Sequence, residues 1–340
     1  MTEREQSNVE PVDFDPFADG ELSDAVPTTS AQREIWVACS LSDGPLLAYN
    51  ESITLTLRGR VDRGALARAV GRLAERHEAL RATGSHDGQS LCIAARLEVP
   101  IRVVEADASS DALSEAALME ARTPFDLEHG PLFRATIVYD ASAAHVILGA
   151  HHIVCDGWSF AVLLKDLGPL YRMECGLAAT LQEAVPFSWY ARDERDRDHG
   201  RALGFWRALM EPAPRAVELP TDRPRPQFRD AASARCDLPL AADLTARLRK
   251  AGAKQGASFF VTLLSGFALW LSRVAENRAS GAADLVIGIP AAAQSAVGKE
   301  MLVGHCANLL PLRLSVGDTD TAAELQKRVR KQVLDAYEHQ

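Results

Sequence analysis

His151-His152-Ile153-Val154-Cys155-Asp156-Gly157-Trp158-Ser159 is the stretch on which the reading of this chain turns. With 9 His and 22 Gly among 340 residues, the pattern His-His-x-x-x-Asp-Gly arises by chance in about one such sequence per thousand. It closes an apolar run over 145–153 that is short enough for a strand, and it opens a segment that reads as a helix from 157 to about 172. Successive strand side chains point to opposite faces, so His151 and His152 cannot both enter one cleft while the strand continues. One is presented and its neighbour is packed. The same divergence argues against a metal site, because a chelate needs ligands that converge.

A neutral imidazole near its ordinary pKa can take a proton from an attacking amine or alcohol, or hold that nucleophile by a hydrogen bond. A core histidine pair satisfied by backbone carbonyls is the plainer reading of the same residues. Asp156 reads as a buried carboxylate that needs an arginine partner, since an unpaired buried charge is costly. Gly157 reads as a turn residue at a place where a side chain would obstruct.

Working outward, 50–59 alternates Ser52, Thr54 and Thr56 against Ile53, Leu55 and Leu57, the period-two pattern of a half-buried strand. Leu66, Ala69, Val70, Leu73, Ala74 and His77 then follow helical spacing behind Asp62, a capping residue. Strands are expected at 91–95 and 101–104, a helix at 111–122, and a central hairpin of 132–139 with 145–153. A second helix is expected over 187–210. Pro212, Pro214, Pro220, Pro224 and Pro226 make 211–230 an extended connector. Beyond it come a strand at 233–238, helices at 241–253 and 258–275, and strands at 285–289 and 309–314. A last helix from about 321 sets Leu325, Val329, Val333 and Ala336 or Tyr337 on one stripe. Helix and strand alternate on both sides of residue 180, so the expected class is α/β with mixed sheets. The expected divisions are a first lobe at 27–180 and a second at 181–340.

The net charge of −9 is concentrated at the start, where residues 1–26 hold eight acids against Arg4 alone and contribute −7. This segment reads as an acidic disordered tail, and docking to a basic partner is the expectation for it. The remaining body, at −2, lacks the clustered Lys and Arg that phosphate binding requires, so nucleic acid is not an expected partner. No secretory signal is visible, and the apolar run 259–271 is too short to cross a bilayer as a helix. A soluble cytoplasmic protein without a membrane partner is the expectation. The six cysteines are scattered, as reduced buried thiols would be.

The motif resembles the signature of the condensation domains of nonribosomal peptide synthetases, relatives of chloramphenicol acetyltransferase. Other stretches resemble that family in the same order: Ser30-Ala31-Gln32-Arg33-Glu34-Ile35-Trp36, Arg76-His77-Glu78-Ala79-Leu80-Arg81, Ser188-Trp189-Tyr190-Ala191, Ile287-Gly288-Ile289-Pro290, and Val303-Gly304-His305-Cys306-Ala307-Asn308-Leu309-Leu310-Pro311-Leu312-Arg313. Departures stand at Gly84, where the family has an aromatic residue, and at Ala293-Gln294, where it has Arg. The Gly-His-Cys-Ala-Asn form is similar to that of hybrid polyketide–peptide systems.

The resemblance implies two acetyltransferase-like lobes in a V. It also implies transfer of an acyl or peptidyl group from one carrier-protein thioester to the amine of an aminoacyl group on another. Both substrates would hang on phosphopantetheine arms that belong to the carriers, so no bound cofactor is expected. His152, the motif's second His, would be the catalytic base or the positioner of the nucleophile. His151, Asp156 and Gly157 complete the motif set, with Arg81 as the expected partner of Asp156 and Arg76 and Arg134 behind it. Trp158, Ser159 and Asn308 would line the substrate tunnel, Trp158 equally a packing residue, whereas Gln32 and Trp36 are expected to pack. The family's fold continues past the equivalent of Gln340, so the second lobe is expected to be incomplete. Two other readings stay open: an acyltransferase using acyl-coenzyme A or an alcohol acceptor, and an inactive module that docks carrier proteins.

Overall fold

Residues 21–42, 46–106, 111–214, 216–224, 234–275, 282–296 and 298–340 are described by a computed structural model. The chain divides into two units, and the division does not fall at residue 180. The first runs to Arg195 and takes back Lys299–His305, while the second comprises Asp196–Gly298 and Cys306–Gln340.

The first unit is built on two sheets. Strands β1 (Leu22–Pro27), β2 (Asn50–Arg58), β3 (Ala82–Gly84), β4 (Ser90–Ala94), β5 (Ile101–Glu105), β6 (Phe133–Tyr139) and β7 (Ala143–His151) assemble in the orders β1-β4-β3 and β2-β7-β6-β5. The expected hairpin of β6 and β7 is antiparallel and central, and β7 is buried along both faces. Its register with β2 runs from Arg58 opposite Ala143 to Asn50 opposite His151. Helices α1 (Ser30–Ser40), α2 (Arg63–Arg76), α3 (Ala112–Arg122), α4 (Gly157–Glu174) and α5 (Phe187–Asp196) complete the unit. Asp62 caps α2 as expected, accepting the Ala65 N–H at 2.8 Å.

Two expectations fail at the start of the chain and after α5. Residues 22–26, read as part of a disordered acidic tail, lie in β1 and pair with β4. An edge strand tolerates charge on its open side, and Asp24 there receives the Arg192 guanidinium at 2.8 Å on each oxygen. Residues 1–20 of that tail lie outside the described residues. The single helix expected over 187–210 is two, because α6 (Gly200–Met210) starts afresh where Asp198 accepts the Gly200 N–H at 2.8 Å.

Helices α7 (Ala242–Lys254), α8 (Phe259–Val274), α9 (Ala293–Ala296) and α10 (Ala322–Glu338) belong with α6 to the second unit, with strands β8 (Ala282–Ala292) and β9 (Ala307–Gly317). The two strands pair antiparallel over their whole length, longer than sequence spacing suggested. Leu285, Ile287 and Ile289 of β8 and Leu310, Leu312 and Leu314 of β9 pack with Val261, Leu264 and Ala268 of α8. The stripe Leu325, Val329, Val333 and Ala336 of α10 joins that core, and Tyr337 is exposed. Residues 234–238, expected as a strand, form none, and the connector 211–230 is described only in part. Among the described residues no single helix is long and apolar enough to cross a membrane.

The Arg76–Arg81 stretch ties the first unit together. Asp166 of α4 receives Arg76 Nε at 2.8 Å and His77 Nε2 at 3.0 Å, all three largely out of water. Burial pushes the Asp166 carboxyl up, but these two hydrogen bonds win and hold it below the usual carboxylate range. Asp166→Ala, which strands Arg76 and the buried His77, is therefore expected to cost about 3 kcal/mol in denaturant unfolding.

Candidate functional site

The site forms where β7 runs out. His151 is the last paired residue, its N–H bonded to the Leu132 carbonyl at 3.0 Å, and the His152 N–H still reaches the Tyr49 carbonyl at 2.8 Å. The ladder goes no further, and the chain folds into a turn over 152–154 that leads on to α4. Gln32, expected to pack, does more: its Nε2 donates to the Ile153 carbonyl at 2.8 Å while its Oε1 accepts the Thr29 N–H at 3.0 Å. The capping box of α1 thereby anchors the turn. Trp36 packs, with its ring so close over Gly84 and Gly88 that a Cβ at either would overlap it. That contact leaves no room for a side chain at 84.

The two histidines are held in opposite tautomers. His151 is buried, and its Nδ1 lies 3.2 Å from the Ile153 backbone nitrogen. An amide N–H can only donate, so Nδ1 accepts and the proton of the neutral ring sits on Nε2. The His152 Nδ1 lies 2.9 Å from the Cys155 carbonyl, which can only accept, so here Nδ1 carries the proton. The Nε2 of His152 is left with its lone pair free and no hydrogen-bond partner among the described residues, on a side chain 25% exposed. One ring is packed and the other presented, each fixed by a backbone group of the chain that follows β7.

A third histidine completes the cluster. His305 lies edge-on to His152, ring centroids 4.6 Å apart. It is brought there by Ser159, whose hydroxyl lies 2.7 Å from Asp156 Oδ1 and accepts the Gly304 N–H at 3.0 Å. Gly304 has φ +153, and a Cβ there would run into the Phe187 ring. Trp158 adds a second tie, its indole N–H donating to the Glu300 carbonyl at 2.9 Å. Burial, helped by the neighbouring His152, pushes both His151 and His305 down to about 4, so both are neutral at pH 7. His305 was not singled out by sequence; its place beside the Gly of the last motif was the only signal.

Asp156 does not pair with Arg81. It is the N-cap of α4, where its Oδ1 accepts the Ser159 N–H at 2.8 Å, so the helix terminus compensates its charge. Arg81 instead donates to the carbonyls of Ala74, Glu75 and Ala94. The two reserves are committed as well, Arg76 to Asp166 and Arg134 to Glu120 at 2.6 Å. Gly157 is not a turn glycine: it is the first residue of α4, its φ is not positive, and a Cβ there would meet nothing within 4 Å. Ser159, expected to line a substrate path, is wholly buried and its hydroxyl is spent internally. Trp158 is half-buried. Asn308 lies in the second unit, exposed on β9, with its Oδ1 accepting the Leu309 N–H at 2.9 Å.

On the His151 side opens a cavity of about 480 Å³ whose lining includes Trp36, Cys39, Leu47, Phe125 and His151. Among the described residues no group of three or more His, Cys, Asp or Glu could hold a metal ion.

The mixed α/β architecture is the chloramphenicol-acetyltransferase-like fold of solved condensation domains. The condensation-domain family matches residues 22–340, and the chain belongs to it. It is 33% identical over 331 residues to malpibaldin synthetase of Mortierella alpina, covering 94% of this chain and 6% of that protein. To phosphinothricin tripeptide synthetase PhsC of Streptomyces viridochromogenes it is 34% identical, covering 93% and 30%. The chain thus spans less than a third of these curated relatives. The X-domain from teicoplanin biosynthesis superposes with TM-score 0.77 at 27% identity, covering 93% of this chain and 71% of that one. The first condensation domain of the CDA synthetase superposes with TM-score 0.75 at 23% identity, covering 94% and 77%.

The neutral rings make stability pH-dependent. His151 and His305 bind protons less readily folded, at about 4, than at the ordinary 6.5. The stability they allow is complete above pH 6.5 and is lost as pH falls from 6.5 towards 4. His305→Asn is expected to reduce that acid loss by about 3 kcal/mol, read as unfolding free energy against pH.

Proposed function

We propose that this chain is a condensing acyltransferase: it passes an acyl or peptidyl group from a carrier-protein thioester to the amine of an aminoacyl group on a second carrier. The new C–N bond forms as the thioester C–S bond breaks, the carrier thiol leaves, and the amine gives up a proton. One observation carries the reading. The Nδ1–H of His152 is committed to the Cys155 carbonyl, so the free Nε2 can accept that proton or hold the amine in place. His151 and Asp156 then act as supports, one packed beneath the turn and the other capping α4. The open space at Gly157 leaves room beside the motif for a thioester-linked chain. Phosphopantetheine arrives on the carrier proteins as part of the substrates.

A second reading has its own support. The X-domain that this chain resembles was solved in complex with OxyB, a likeness that favours a module whose task is to bind partners.

His152→Ala is expected to lower amide formation between two loaded carriers at least 100-fold, and Asp156→Ala to cost about 1 kcal/mol of stability through the lost cap. Single-turnover assays with carrier thioesters, run beside acyl-coenzyme A, measure the first. Turnover retained without His152 would overturn the role given to it. Carrier binding without any product would favour the docking reading.

A further inference from the structure

We propose that Glu51 is the positioning residue for His152: its carboxylate lies against the protonated side of the ring, keeps Nε2 turned outward, and stabilises the imidazolium formed when Nε2 takes up a proton. The proposal rests on the function just given and deepens it.

The end of the strand pair brings Glu51 beside His152. Glu51 stands opposite Ala150 on β7, one pair before the ladder ends at Asn50 and His151, and His152 opens the turn directly beyond it. On β2 the face that carries Glu51 is otherwise Ile53, Leu55 and Leu57, and Glu51 is the carboxylate that interrupts the apolar row. The Glu51 Oε2 lies 3.6 Å from His152 Nδ1, outside the hydrogen bond that Nδ1 makes to Cys155 and within ion-pair range. Among the described residues no other basic side chain pairs with Glu51.

Every titratable or charged group around the ring fits this reading. His151 and His305 are both neutral at pH 7, so neither puts a competing positive charge beside His152. Tyr49 contributes a ring, its centroid 6.4 Å away. Cys155 lends its carbonyl, and its buried thiol is pushed well up. Asp156 is the other carboxylate in reach, already occupied with the N-terminus of α4. Burial holds the Glu51 carboxyl above its ordinary range, with the nearby His152 pulling it partly back and the Asp156 charge adding to the rise. A half-buried carboxylate without a hydrogen-bond donor is costly by itself, and a cation developing at His152 offsets that cost.

The test is a histidine titration of the whole chain labelled with ¹⁵N-histidine, in the original sequence and in Glu51→Gln, with His152→Ala to assign the signal. Removing the carboxylate charge destabilises the imidazolium, so the His152 midpoint is expected to fall by about one pH unit. The acidic limb of kcat/KM for amide formation is expected to move the same way, with kcat falling about tenfold and KM changing less than twofold. Should Glu51→Gln not fold, Glu51→Asp carries the test, with a smaller fall expected. An unmoved midpoint overturns the proposal, as does lost activity with an unmoved acidic limb. If the chain forms no amide at all, the reaction assigned above fails, while the titration still decides the part played by Glu51.

Discussion

The end of β7 is the constraint on which the site depends. A strand that continued would send His151 and His152 to opposite faces and leave both rings without a defined proton position. Here the ladder stops at His151, and the following turn supplies one donor and one acceptor from its own backbone, the Ile153 N–H and the Cys155 carbonyl. Those two groups place the proton on Nε2 of one ring and on Nδ1 of the other. The chemistry available to His152 follows from a carbonyl three residues away.

Much of the first unit serves to keep that turn in place. Gln32 holds it from α1, Asp156 ends it by capping α4, and Ser159 carries the constraint on to Gly304 and so to His305. Each link is a buried polar group with a partner, and such groups are expensive to leave unsatisfied. The Arg76–Asp166–His77 cluster performs the same service one layer deeper, fixing α2 against α4. Gln32, Asp156, Ser159 and Gly304, drawn from three separate stretches of sequence, thus form the hydrogen-bond frame of one loop.

The hairpin of β6 and β7, the helix capped by Asp62 and the apolar stripe of α10 were legible in sequence because each rests on periodicity or local capping, which short windows contain. Strand β1 was hidden by its acidic setting, since composition cannot show that an edge will be paired. The partner of Asp156 was misread for a related reason. Burial and charge together suggested arginine, whereas the compensation comes from the N-terminus of the helix that the residue itself begins. Glu51 lay in view as a carboxylate on the apolar face of a strand, but its meaning needed the β2–β7 register, a long-range quantity. His305 needed more still, a contact made across about 150 residues of chain.

The chemistry open to His152 depends on its tautomer. A long-range proton–nitrogen correlation spectrum of the ¹⁵N-histidine-labelled chain, taken above the pH at which its histidines titrate, reports which ring nitrogen bears the proton. The expected result is a proton on Nδ1 of His152 and on Nε2 of His151. A proton on Nε2 of His152 would remove the free lone pair and contradict the account.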